Sequence, residues 1–433
     1  MATTTTTLEV ELGGWLERHW DPDLTVAEWW ELLGTSGWAA PTWPTDWFGR
    51  GLSRADAAQV QQTIAGFGAL SGPTGLGLSL AGPTIIAHGS EDQKRQYVRD
   101  IATGQRAWCQ LFSEPGAGSD LAGLQTRAVP DGDEWRVDGQ KVWTSGGQFA
   151  DLGMLLARTD ADVPKHQGIT YFLLDMRQPG VEVRPLREMT GRAVFNEVYL
   201  TEATVPNDAV LGGLHNGWAV ANTTLAVERA GLGVGGGGGA MSPARPGQVA
   251  GDLDRRVGDF VESGRRMPAR GGQAAAGAGD NLRELARRRG VAGDASVRQG
   301  LAELHTLQQI GRYTALRLKA LRAAGDDLPG AGNLAKLGMS RLVRLSRELH
   351  MHIVGPYGTL HAYDTRSRHE LERGVGDPLL TSLGEAALFS PAPSIYGGTD
   401  EVQRNVIGER VLGLPKEPGD TRDIPFRQLP KNV

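Results

Sequence analysis

One cysteine, Cys109, stands in 433 residues, so no disulfide can close within the chain, and a reducing, cytoplasmic setting is expected. A lone thiol of this kind reads as a small buried hydrophobe. Aromatic residues make up only 6 %, no dense Lys/Arg cluster interleaves with them, and the formal charge is −5, which argues against nucleic acid as a partner. No apolar run approaches the roughly 18 residues that a membrane span needs. The opening MATTTTTLEV lacks a basic n-region and an apolar h-region, so no secretory signal is expected, and Thr3–Thr7 read as a disordered leader. No HExxH or carboxylate–histidine cluster accompanies His350, His352, His361 and His369. Helix positions two apart point about 200° from each other, so His350 and His352 cannot easily share an ion, and no metal site is expected.

What is present is patterning. The length corresponds to about three domains of ~150 residues each. Residues 1–107 read as a helical domain: LEVELGGWLERHW and TVAEWWELLGTSGW carry helically spaced apolar residues, and Ser53 and Ser90 are N-cap candidates. The tryptophans of WAAPTWPTDWFGRG (38–51) read as core packing. Residues 108–213 read as a β-domain, a small barrel or orthogonal sheets. The runs DEWRVDG, DLGMLLART, GITYFLLDM, VEVRPL and FNEVYLTE are short, rich in Val, Leu, Phe and Tyr, and separated by Gly, Pro and Asp. Residues 214–433 return to the helical period. Within ASVRQGLAELHTLQQIGRYTALRLKALRAAG, the residues Val297, Leu301, Leu304, Ile310, Leu318 and Leu321 fall near one face.

A Gly-rich insertion, with 15 glycines in residues 231–280, interrupts this bundle and reads as a flexible connection, a helix resuming near LDRRVGDFVESG. GLGVGG at 231–236 fits G-x-G-x-x-G, with Asp252 at a ribose-binding distance. The preceding TTLAVERA is helical rather than a strand, so no Rossmann site is expected.

Three motifs carry chemistry: WCQLFSEPGAGSD (108–120), WTSGG (143–147) and IYGGTDEVQRNVIGERVLGLP (395–415). Their residues, order and spacing resemble the acyl-CoA dehydrogenase family over roughly residues 35–415. The resemblance implies an α+β fold with an N-terminal helical domain, a middle β-barrel-like domain and a C-terminal helical bundle. It also implies FAD as cofactor and α,β-desaturation of an acyl-CoA. By that resemblance Gln110, Leu111, Phe112 and Ser113 line the flavin ring, and Ser119 meets phosphate within the glycines of PGAGSD, touching cofactor and substrate alike. Trp143, Thr144 and Ser145 form the second flavin segment, and Thr399 and Glu401 reach the cofactor from the C-terminal motif. The HIVGPYG run (352–358) resembles a segment that contacts FAD across a subunit boundary, departing from it at His352 and Pro356. The family's Arg-x-x-Phe-Gly cofactor segment is not recognisable.

Many members of the family carry their catalytic glutamate where this chain has Gly397. Glycine has no side-chain proton acceptor, whereas a positioned base is worth roughly 10²–10⁴-fold. Glu228, in an AVERAG segment resembling the first helix of the C-terminal domain, is the candidate base, as in isovaleryl-, long-chain- and bacterial sterol side-chain-type members. Arg229 follows it as the family's arginine does. Gly397 and Gly398 still offer backbone at the substrate, Gly397 as an N–H donor to the thioester carbonyl. The Glu228 position points to a branched, long or bulky acyl group. Expected partners are the acyl-CoA substrate, an electron-transfer flavoprotein, and a second copy or a related dehydrogenase subunit. Alternatives on the same fold are a non-catalytic subunit of a heteromeric dehydrogenase and a flavin oxidase or N-hydroxylase.

Overall fold

Helix starts are written into the N-terminal sequence as caps. Thr25 and Glu28 close a capping box (Glu28 N–H to Thr25 Oγ1 3.2 Å, Thr25 N–H to Glu28 Oε2 2.9 Å) and open α2, Val26–Thr35. Ser53 and Ser90 cap α3, Arg54–Phe67, and α5, Glu91–Ala102, as expected, with Gln93 completing a box at Ser90. With α1, Thr7–His19, and α4, Gly82–His88, these helices bury Trp29, Trp30 and Trp38 among Leu12, Leu16 and Leu33. The indole N–H groups of Trp29 and Trp30 donate to the carbonyls of Leu70 and Ser71. Of the tryptophans in 38–51, Trp38 and Trp43 are buried and Trp47 is partly buried against the core.

The computed structural model describes residues 7–232, 252–266, 274–326, 328–416 and 423–430. Most of the Gly-rich stretch, positions 3–6 and all but the first two residues of GLGVGG lie outside the described residues.

The middle of the chain is one eight-stranded sheet. Its strands are β1, Trp108–Leu111; β2, Arg127–Asp131; β3, Glu134–Ser145; β4, Leu152–Arg158; β5, Ile169–Asp175; β6, Val181–Leu186; β7, Phe195–Pro206; and β8, Val210–Leu211. The order is β6-β7-β3-β2-β4-β5-β8, with β1 added to β4 in parallel, Trp108 opposite Leu152 and Leu111 opposite Leu155. β4 is buried along its whole length and β5 nearly so, which explains their unbroken apolar runs. β2 and β8 were not foreseen: one is largely exposed and contains Pro130, the other has two residues.

Eight helices follow among the described residues: α6, Gly217–Leu232; α7, Val257–Arg266; α8, Ala274–Arg288; α9, Ala295–Ala323; α10, Ala331–Val354; α11, Thr365–Val375; α12, Pro378–Phe389; and α13, Asp400–Val406. Val297 and Leu304 of α9 are buried with Leu282 and Leu285 of α8 and Leu349 and Ile353 of α10. Ile310 is not: it is 55 % exposed, beside Tyr313 at 61 % and Leu316 at 51 %. Helical spacing finds an apolar stripe but does not say whose surface covers it. No helix among the described residues is long and apolar enough to cross a membrane.

Candidate active site

The first two motifs meet at the end of β3. The Val142 N–H donates to the Ser113 carbonyl (2.9 Å), and below this contact Lys141, fully buried, donates from Nζ to the Phe112 carbonyl (3.1 Å) and to Glu114 Oε1 (2.8 Å). Glu114 also accepts the backbone N–H groups of Gln125 (2.6 Å) and Thr126 (2.9 Å). Burial alone would raise the Glu114 pKa. The charge and hydrogen bond of Lys141, with those of Thr126 and Gln125, outweigh it and hold the carboxyl below its ordinary value. Glu114 and Ala117 exchange backbone hydrogen bonds (3.0 and 3.1 Å), so the chain turns tightly and carries Gly118, Ser119 and Asp120 to the surface.

β1 pairs by one edge with β4 and has no second strand partner among the described residues, which leaves strand-edge backbone beside half-buried Gln110 and Ser113. Leu111 and Phe112 are buried, and Phe112 meets Tyr171 edge-on at 5.8 Å. β3 slips register against β7 between Lys141 and Thr144, a bulge that puts Trp143 in the left-handed region (φ 62°) with its indole 57 % exposed against Phe195. Thr144 is fully buried, and its Oγ1 finds no partner among the described residues. Ser145 lines a cleft with Gly75, Gly77, Arg106, Gly146 and Phe149. One wall of that cleft is a π-turn, Gly77–Ala81, a distortion frequent at functional sites.

Glu228 is half-buried on α6. One turn before it, buried Thr224 pairs with the Thr84 hydroxyl (3.0 Å) and the Tyr171 hydroxyl (3.3 Å). A contact path therefore runs from Phe112 through Tyr171 to the helix that bears Glu228. The side chain of Arg229 lies outside the described residues.

The third motif is organised separately. Gly397 and Gly398 have φ of 63° and 81°, a bend open to glycine, and their carbonyls accept from Gln403 Nε2 (2.9 and 3.2 Å). Thr399 spends its hydroxyl capping α13 through the Val402 N–H (3.2 Å), and exposed Glu401 pairs with Arg404. No hydrogen bond or ion pair among the described residues joins Thr399 or Glu401 to the two β motifs. The motif is tied instead to α10, where buried Asp400 meets Lys336 (3.2 Å) and Arg344 (3.4 Å), and α10 also packs on α6. His350 of α10 is buried, whereas His352 points out to Ser296 (2.7 Å), the divergence expected of two positions two apart.

Family models for the N-terminal, middle and C-terminal domains of acyl-CoA dehydrogenases match residues 5–105, 109–202 and 260–412. The chain belongs to the acyl-CoA dehydrogenase family. Acyl-CoA dehydrogenase IpdE1 of Mycobacterium tuberculosis (strain ATCC 25618 / H37Rv) is 34 % identical over 90 % of this chain and 88 % of its own. Acyl-CoA dehydrogenase FadE34 of the same organism is 35 % identical over 89 % of this chain and 46 % of its own. Among solved structures, the Tcur3481-Tcur3483 steroid ACAD aligns with a TM-score of 0.68 at 25 % identity, covering 95 % of this chain and 96 % of that one. The ChsE4-ChsE5 complex from Mycobacterium tuberculosis aligns at 0.67 and 26 %, covering 96 % of this chain and 100 % of that one.

The enzyme is thus an oxidoreductase of acyl-CoA thioesters, and FAD is its cofactor. The residues fit that group: a strand edge and a buried Thr144 hydroxyl that find no partner among the described residues, and a glycine turn at the surface, all lie within two interlocked motifs. The Lys141–Glu114 pair that interlocks them escaped sequence reading. Glu114 lies inside the first motif and Lys141 two residues before the second, so a buried-charge argument applied to both could have found it.

Proposed function

We propose that the chain desaturates a bulky acyl-CoA between Cα and Cβ, with Glu228 as the base. The observation that carries this reading is the pairing of Gly397, which has no proton acceptor, with a half-buried carboxylate on a helix tied by Thr224 and Tyr171 to the flavin-site Phe112. FAD, when bound, accepts the hydride that leaves Cβ. Glu228 takes the proton from Cα as the two carbons become doubly bonded, and the Gly397 N–H donates to the thioester carbonyl, where charge develops. Gln110 to Ser113, Trp143 to Ser145, Thr399 and Glu401 hold the cofactor. Ser119, Arg229 and Gly398 hold the substrate, with Ser119 shared between the two ligands. An electron-transfer flavoprotein takes the electrons onward.

Two observations support the finer points. A steroid ACAD is among the similar structures, in keeping with a bulky acyl group. The outward Ile310, Tyr313 and Leu316 stripe, together with similarity to the ChsE4-ChsE5 complex, favours assembly with a second copy or a related subunit.

Glu228→Gln tests the reading. It keeps side-chain volume and removes proton affinity, so FAD content should stay near wild type while anaerobic flavin bleaching by acyl-CoA slows by about 10²-fold or more. Bleaching at the wild-type rate would place the base elsewhere.

A further inference from the structure

The C-terminal segment Asp423–Pro430 returns to the middle sheet. Pro425 forms an isolated bridge with Pro164, the Phe426 N–H donates to the Val163 carbonyl (2.9 Å), and the Arg427 N–H donates to the Ala161 carbonyl (3.0 Å). Arg427 also pairs with Asp162. The segment thereby straps the β4–β5 loop, residues 159–168. The base of that loop is closed at Gly168, where a Cβ would lie 1.8 Å from the Asp160 carbonyl oxygen.

Beneath the strap is Arg158. The Phe426 ring lies 3.5 Å from its guanidinium carbon, and burial pushes its pKa down to about 10, still cationic at neutral pH. The guanidinium spends its donors on three carbonyls: Ala122 (2.7 Å), Leu124 (3.2 Å) and Lys165 (3.0 Å). Ala122 and Leu124 belong to the turn that leaves Ser119. Lys165, in the strapped loop, reaches Asp120 with both oxygens at 2.8 Å. His166 of the same loop packs edge-on against Trp218 in the first turn of α6. The Ser119 turn is therefore held from behind by a cation whose open face is roofed by Phe426.

We propose that the strap is a positioning element for phosphate binding, in which Phe426 fixes Arg158 and Arg158 fixes the Ser119 turn toward a phosphate-ester ligand. This rests on reading that turn as a phosphate site, and the phosphates can be those of FAD or of the CoA portion of the substrate. Phe426 touches neither ligand and acts through Arg158.

Three variants and three measurements test it. Ser119→Glu puts an anion at the turn and tests the site itself; Phe426→Ala removes the roof, and Phe426→Tyr keeps an aromatic ring there. FAD dissociation from diluted holoenzyme reads one phosphate source, and KM for acyl-CoA reads the other. Hydrogen exchange at residues 120–126 reads the turn directly. Ser119→Glu should weaken one of the two ligands by about tenfold or more, and Phe426→Ala should weaken the same ligand by about tenfold, acting on binding more than on kcat. Exchange at 120–126 should quicken in Phe426→Ala while β4 and β5 stay protected, and Phe426→Tyr should restore wild-type behaviour. If Ser119→Glu changes neither ligand, the phosphate reading of the turn fails and the proposal with it. If Ser119→Glu weakens binding and Phe426→Ala does not, the strap proposal alone is overturned. Exchange that quickens equally throughout the sheet also overturns it, because the strap would then support the whole fold.

Discussion

Two buried lysine–carboxylate pairs sit behind the sequence motifs, one in the sheet and one in the helical bundle, and they are built differently. In the sheet, Glu114 has one ion-pair partner among the described residues, Lys141, with Arg158 acting on it only through charge at longer range; the other hydrogen bonds of the pair are to backbone, two N–H donors to the acid and the Phe112 carbonyl for the base. In the bundle, Asp400 has two cations, Lys336 and the partly exposed Arg344, with the Ser340 hydroxyl nearby. Burial pushes Asp400 upward, and those three partners carry it below its ordinary value. The sheet pair locks two stretches of backbone together; the bundle pair locks α13 to α10. A pair with one contacting cation and fixed backbone partners keeps no ion pair when that cation is lost, whereas a pair with two contacting cations keeps one.

Removing the lysine from each pair is the sharpest way to break the comparison. Lys141→Met leaves Glu114 buried without an ion-pair partner and should cost about 4–5 kcal/mol in denaturant unfolding, the upper range for a broken buried pair. Adding Glu114→Gln should return part of that loss, since the stranded charge goes with it. Lys336→Met should cost about 3 kcal/mol, because Arg344 still faces Asp400. Equal costs would show that the second cation contributes nothing.

The smallest effect comes from a bundle residue that has no pair at all. Neither ring nitrogen of His350 meets a partner among the described residues, and burial lowers its pKa to about 4. The unfolded chain binds a proton there below about pH 6.5 while the native chain does not. Stability is therefore lost as pH falls from about 6.5 toward 4, by about 2 kcal/mol at pH 5. His350→Leu should flatten that slope in chemical denaturation across this range. An unchanged slope would mean that the ring finds a partner when charged.

The sequence made the fold legible because each motif is local: caps at Ser53 and Ser90, buried runs in β4 and β5, and the motifs at 108–120 and 143–147 all lie within short windows. What escaped it is non-local. Lys141 reaches Glu114 across 27 residues, and nothing in the spacing of either marks a partner. Phe426 meets Arg158 from the far end of the chain, and PFRQLP carries no periodic signal to announce a docking segment. Ile310 fell on the expected apolar face of α9, yet that face is exposed in its middle, since periodicity is blind to which surface does the covering. At the candidate site, residue types pointed to Glu228 and Gly397. The route from the sheet to α6 through Tyr171 and Thr224 needed coordinates.

The parallel pairing of β1 with β4 also sets an order of events during synthesis. The strand carrying Gln110 and Leu111 leaves the ribosome first, but the strand it pairs with, Leu152–Leu155, follows after residues 112–151 have been made. Closing so long a loop is slow, and the reward arrives only when β4 is present. The first two motifs lie in or beside that loop, so they stay without this strand pairing until β4 has emerged, while α6 and Glu228 emerge later still. A chain stalled before residue 155 would therefore carry the first two motifs without the strand on which β1 pairs.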